Sequence, residues 1–154
     1  MLYFAYGSNM HRAIMRKHAP NAEPVGAAAL TNYRFIVTAD GYASVAPAAG
    51  ENVHGLVWRL TPPDRVTLDA WENVAGGLYR AETLPIEQSG KLSPALVYIA
   101  RQCPIGRPRR GYMEFVIGAA RMLELPADYI SSLQGWLPKD AADTAGLPRF
   151  GEFG

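Results

Sequence analysis

Two rhythms of hydrophobic and polar positions run along the chain. Leu2 to Tyr6 is a short apolar run, suited to a buried strand, that stops at Gly7-Ser8-Asn9. Met10 to His18 then read as a short helix ending before Pro20. Val25 to Leu30, Tyr33 to Thr38 and Ala43 to Ala46 are apolar or alternating runs separated by Thr31-Asn32, Asp40-Gly41 and Pro47 to Gly50, which predicts strands joined by tight turns. Val53 to Leu60 is a further strand, with Leu56, Trp58 and Leu60 on one face and Val57 and Arg59 on the other.

Thr61-Pro62-Pro63-Asp64 is a helix start: Thr61 is the N-cap, Pro62 has its φ preset at the first helical position, and an acid lies in the first turn. That helix runs to about Trp71, and Gly76-Gly77 breaks the chain after it. Leu78 to Ile86 and Ala95 to Ala100 are strands around a turn at Gln88 to Lys91, and Arg101 to Gly111 is a loop. Tyr112 to Leu123 and Pro126 to Leu133 carry helical spacing. Six or seven strands with a few helices that do not alternate regularly define an α+β protein.

The 154 residues suit one domain, expected over 1–136, with an Ala-, Gly-, Asp- and Pro-rich tail over 137–154. Hydrophobic residues are 49% and charged residues 19% of the chain, as in a soluble globular protein, and the net charge of +1 implies neither a nucleic-acid nor a membrane partner. The single Cys103 excludes an internal disulfide. Without a signal-peptide pattern or a bilayer-spanning apolar run, a cytoplasmic location is expected.

Strand, Gly-Ser-Asn, helix is an order with chemical meaning. Glycine and asparagine tolerate left-handed backbone, so successive N–H groups of Gly7, Ser8 and Asn9 can converge on an anion, aided by the start of the next helix. The same residues also suit an ordinary strand-to-helix turn. Neither a phosphate-loop lysine, a GxGxxG, nor a G-x-S-x-G elbow is present.

YGSN after an apolar N-terminal strand resembles the γ-glutamylcyclotransferase family. The likeness continues in LDAWENVAGGLYRAETL (68–84) and in GYMEFVIGAARMLELPADYI (111–130), so it covers most of residues 2–133. The resemblance implies a small mixed, barrel-like sheet with peripheral helices, and a pocket for a small γ-glutamyl amide. It places Glu72 on the catalytic glutamate, and Tyr79 and Tyr112 on pocket tyrosines. Asn73 departs from the pattern, since relatives often carry glycine there.

The implied chemistry is internal: the substrate's α-amine attacks its own γ-carbonyl, giving 5-oxoproline and a free amine, with no metal, cofactor or enzyme nucleophile. One carboxyl group can take the ammonium proton and return it to the leaving nitrogen. Glu72 would serve once burial among Trp71, Leu78 and Tyr79 raised its pKa, and its place at a helix C-terminus, against the dipole, is a poor choice for stability alone. The backbone of Gly7, Ser8 and Asn9 would hold a carboxylate or oxyanion, with Tyr6 as a wall. Asn9 favours the general γ-glutamyl amino acid type; γ-glutamyl-ε-lysine enzymes tend to read Tyr-Gly-Thr-Leu and glutathione-specific ones Tyr-Gly-Ser-Leu. A monomer or homodimer is expected.

Other candidates are weaker. His11 and His18 lie about 10 Å apart along a helix axis, too far to share a metal, and no HExxH or CxxC exists, so no metal site is expected. A Cys103–His54 pair lacks local support. Arg101, Arg107, Arg109 and Arg110 form a basic loop that suits solvent or a substrate carboxylate better than RNA. A non-catalytic carboxylate binder on the same fold is the rival of a different class, and a γ-glutamylamine-specific enzyme the rival of the same one.

Overall fold

In the computed structural model, residues 1–102, 104–139 and 149–150 are described; Cys103 and most of the expected tail lie outside them. Five strands close into a barrel in the order β1-β3-β2-β4-β5. They are β1 (Leu2–Ala5), β2 (Glu23–Val37), β3 (Ala43–Arg59), β4 (Tyr79–Gln88) and β5 (Lys91–Ala100), and the helices are α1 (Arg12–His18), α2 (Pro62–Trp71), α3 (Tyr112–Met122) and α4 (Ala127–Gln134). The α+β class and the mixed barrel are as expected, the mixture arising at β1, which pairs antiparallel with β3 and parallel with β5 at Tyr3–Leu96. No helix among the described residues is long and apolar enough to cross a membrane.

The short strands expected between 25 and 60 are instead two long ones. The Thr31-Asn32 turn signal is a bulge: Thr31 pairs with Asn52 and Tyr33 with Pro47, so Asn32 alone faces residues 48–51. Asn32 takes φ +63 and accepts a hydrogen bond at Oδ1 from the N–H of Gly50, itself at φ +80. Turn residues thus serve two strands that bend without ending, which coils the ribbon enough to close a barrel. Asp40-Gly41 does turn the chain, and so does Ser89-Gly90, where positive φ at both central residues matches the right-handed twist of β4 and β5.

The core fills the barrel and the space beneath the helices. Phe4, Val37, Val53, Val57, Ile86 and Val97 are fully buried on the strands, and Leu68, Met113, Val116 and Ala120 on the helices that cover them. Thr61 and Asp64 form the expected cap as a reciprocal pair, and Asp64 also accepts from the N–H of Asn21, tying the start of α2 to the chain before β2. One close approach shapes the functional end. A Cβ on Gly55 of β3 would lie 2.2 Å from the carbonyl oxygen of Ala5, so only glycine lets the end of β1 press onto β3 before the chain enters the opening loop.

Candidate active site

Where β1 ends, α2 ends and α3 begins, a cavity of about 320 Å³ opens. That is the size of a site for a small molecule. Tyr6, Gly7, Ser8, Asn9, Glu72, Tyr79 and Tyr112 all line it, so residues far apart in sequence meet in one place.

The opening loop differs from the expected left-handed concavity. Gly7 sits at φ −113, none of residues 7–9 has positive φ, and Ser8–Met10 form a single 3-10 turn in which the N–H of Met10 donates to the carbonyl of Gly7. Glycine is needed at position 7 for space: a Cβ there would lie 2.8 Å from the Tyr112 hydroxyl. Asn9 works through its side chain as well as its backbone. Its Nδ2 donates to the Tyr3 hydroxyl (2.9 Å), its Oδ1 lies 3.2 Å from His18 Nδ1, and its carbonyl accepts from the Trp58 indole (3.0 Å). The loop is therefore held from beneath, with little freedom to move.

Glu72 is the C-cap of α2, half-buried and facing the cavity. Burial pushes its carboxyl up to about 7, because the charged form loses hydration that nothing nearby replaces. Asn73 explains how the chain turns after it without glycine. It adopts φ +49, its carbonyl accepts from Leu78 N–H, and its Oδ1 accepts from Gly76 N–H, so asparagine fills the left-handed C-terminal position that glycine often takes. Trp71 stacks on His18 with ring centres 4.0 Å apart, joining the ends of α1 and α2 beside Glu72.

The tyrosines divide the remaining work. Tyr79 donates to the carbonyl of Ala43 (2.8 Å), and the N–H of Ala43 donates to the Tyr112 hydroxyl (3.2 Å), so both rings are tied to the start of β3. Tyr6 donates to the carbonyl of Tyr98, and Tyr98 to Asp69 on α2 (2.6 Å). Burial raises the pKa of Tyr3, Tyr6 and Tyr112 well above the usual phenol value, and the nearby Glu72 charge raises each further. All three therefore stay neutral hydroxyls at any working pH. For Tyr112, hydrogen bonds from the Ala43 and Ser8 backbones act in the opposite direction. Tyr112→Phe would leave these N–H groups without their acceptor, and is expected to cost about 1–3 kcal/mol, read as a lowered urea midpoint at unchanged slope.

Several lining residues carry no signal in the sequence. Tyr3, His18, Tyr42 and Tyr98 look like core aromatics or an isolated histidine until the barrel closes. Phe150, within the expected tail, reaches the cavity and packs on Tyr112 and Phe115 at ring distances of 5.1 and 5.2 Å. The basic loop does not supply the substrate-facing arginine considered above: Arg109 donates to the carbonyl of Asp40 and lies 4.4 Å over the Tyr42 ring, and no arginine among the described residues lines the cavity. His11 stacks on Phe115, and His54 meets Tyr129 edge to face.

Fold and cavity together define a small barrel protein built around an enclosed acid among tyrosines. A family model described as the AIG2-like family matches residues 52–133, and the chain belongs to that family. It is similar to the human γ-glutamylcyclotransferase, 26% identical over 150 residues that cover 90% of this chain and 80% of that one. The bovine γ-glutamylcyclotransferase is 27% identical over 154 residues, with the same coverage. A solved structure of a γ-glutamyl cyclotransferase superposes with a TM-score of 0.84 at 24% identity, covering 91% of this chain and 89% of that one.

Proposed function

We propose that the protein cyclises a small γ-glutamyl amide to 5-oxoproline and a free amine or amino acid, with Glu72 as the single acid/base. The observation that carries this reading is a carboxyl group with a pKa near 7 inside a tyrosine-lined cavity, beside the backbone of Gly7, Ser8 and Asn9.

A glutamyl chain folded in the cavity brings its α-nitrogen against its γ-carbonyl, and such enforced proximity can supply effective molarities of about 10⁵ M or more. Ionised Glu72 takes one proton from the α-ammonium, and the freed amine forms the new C–N bond. The carbonyl oxygen gains negative charge beside the Gly7–Asn9 backbone and the Tyr112 hydroxyl, which has its own proton to donate. Protonated Glu72 then gives that proton to the departing nitrogen as the amide C–N bond breaks. The ring nitrogen still carries the second surplus proton of the former ammonium, and the regenerated carboxylate passes it to the freed amine, which leaves as an ammonium, so that proton and charge balance.

Because the base form must be present first, kcat/KM is expected to climb with pH along an acid limb centred near 7, where an unperturbed glutamate would place it near 4.5. A limb below pH 5 would remove Glu72 from the base role. Assay of 5-oxoproline release from γ-glutamyl dipeptides, glutathione and γ-glutamyl-ε-lysine tests the reaction itself. Silence across that panel, with binding retained, would favour the carboxylate binder. On this reading the substrates include peptides of the glutathione type, and the place of action is the cytoplasm.

A further inference from the structure

We propose that Lys17 is a specificity residue that favours substrates whose departing half carries a carboxylate. The proposal rests on the cyclotransfer reading above and assigns the cavity mouth, where that reading concerns the floor.

Depth divides the cavity. Tyr3, Tyr6, Asn9, Tyr79, Tyr98 and Tyr112 are buried, and form the floor on which the glutamyl unit must fold. Lys17, Trp71 and Leu78 line the same cavity yet are exposed, and so mark its opening. The amide nitrogen leaves in that direction, so whatever it carries meets these three side chains. Two are apolar and one is cationic.

Among the described residues, Lys17 is the only lining side chain that is charged positively at neutral pH. His18 beside it is held neutral, with a pKa of about 4, first by burial and then by the Lys17 charge itself. The arginines of the 101–110 loop lie elsewhere, and no ion pair to Lys17 forms among the described residues. An ammonium at the mouth of an otherwise aromatic cavity attracts the carboxylate of a departing amino acid and gives nothing to a departing simple amine. It would also offset the second negative charge that such a substrate brings near Glu72.

γ-Glutamyl-alanine and γ-glutamyl-ethylamide differ only in that carboxylate, so the ratio of their kcat/KM values isolates it. In Lys17→Met the ratio is expected to fall about fivefold, the upper range of a solvent-exposed ion pair, and to fall further in Lys17→Glu. Lys17→Arg should keep it, and raising the salt concentration should shrink it in the wild type and in Lys17→Arg but leave Lys17→Met unchanged. An unchanged ratio in both Lys17→Met and Lys17→Glu, with 5-oxoproline still released, would overturn the assignment of Lys17 and leave the cyclotransfer reading standing. Absence of 5-oxoproline from wild-type protein with either compound would overturn both.

Discussion

Glu72→Gln is expected to lower 5-oxoproline release by about 10²–10⁴-fold while making the protein more stable at neutral pH. Glutamine keeps the shape and hydrogen-bonding capacity of the side chain but can neither take nor return a proton. The stability gain follows from the pKa. In the folded protein the carboxyl titrates near 7, against an ordinary value of 4.5, so between these the folded state binds more protons than the unfolded one and stability falls as pH rises. The penalty is absent below about 4.5, grows through the window, and is complete above 7. Glu72 is only half-buried and faces the cavity, which softens the penalty, so glutamine is expected to recover about 1–3 kcal/mol above pH 7 and almost nothing at pH 4. Urea melts at the two pH values measure the difference. Substantial turnover by Glu72→Gln would end the proposed mechanism, whatever its stability.

Gly55→Ala should have the largest effect on folding of any single methyl group added to the barrel. The new Cβ would meet the Ala5 carbonyl oxygen at 2.2 Å and the Ala5 carbon and Phe4 ring at 3.1 Å. Backbone cannot swing aside as a long side chain can, so β1 must move away from β3, at a cost of about 3 kcal/mol or more. Activity should fall as well, because Ala5 leads directly into Tyr6 and Gly7. Gly118→Ala is the control. It lies within α3 with nothing within 4 Å of an added Cβ, and should be neutral or stabilising by up to about 1 kcal/mol. Equal melting temperatures for Gly55→Ala and wild type would show that β1 is not seated as described.

Local signals were legible wherever one residue type answers one local need. Thr61, Pro62 and Asp64 start α2 as read, Ser89-Gly90 turn the β4–β5 hairpin, and the helices over 112–122 and 127–134 follow their apolar spacing. Asn32 and Gly50 show the limit of such reading. Each favours left-handed backbone, which serves a turn or a bulge equally, and only the pairing across β2 and β3 decides between them. Within the cavity, Glu72, Tyr79 and Tyr112 stood out through the family resemblance. Tyr3, His18 and Lys17 did not, because their contacts depend on how the ends of α1 and α2 meet, and apolar period does not report that meeting. The residue type at Gly7 points to torsional freedom, whereas what its position demands is room for the Tyr112 oxygen.

β1 lies between two neighbours that the ribosome makes much later. The Tyr6 hydroxyl waits for the carbonyl of Tyr98, 92 positions further on. At about 5–20 residues per second, the nascent first strand therefore stays without its β5 edge for several seconds or more. Slow refolding after dilution from denaturant, with enzymatic capability recovered only in the last phase, is the kinetic signature that such a long-range closure imposes.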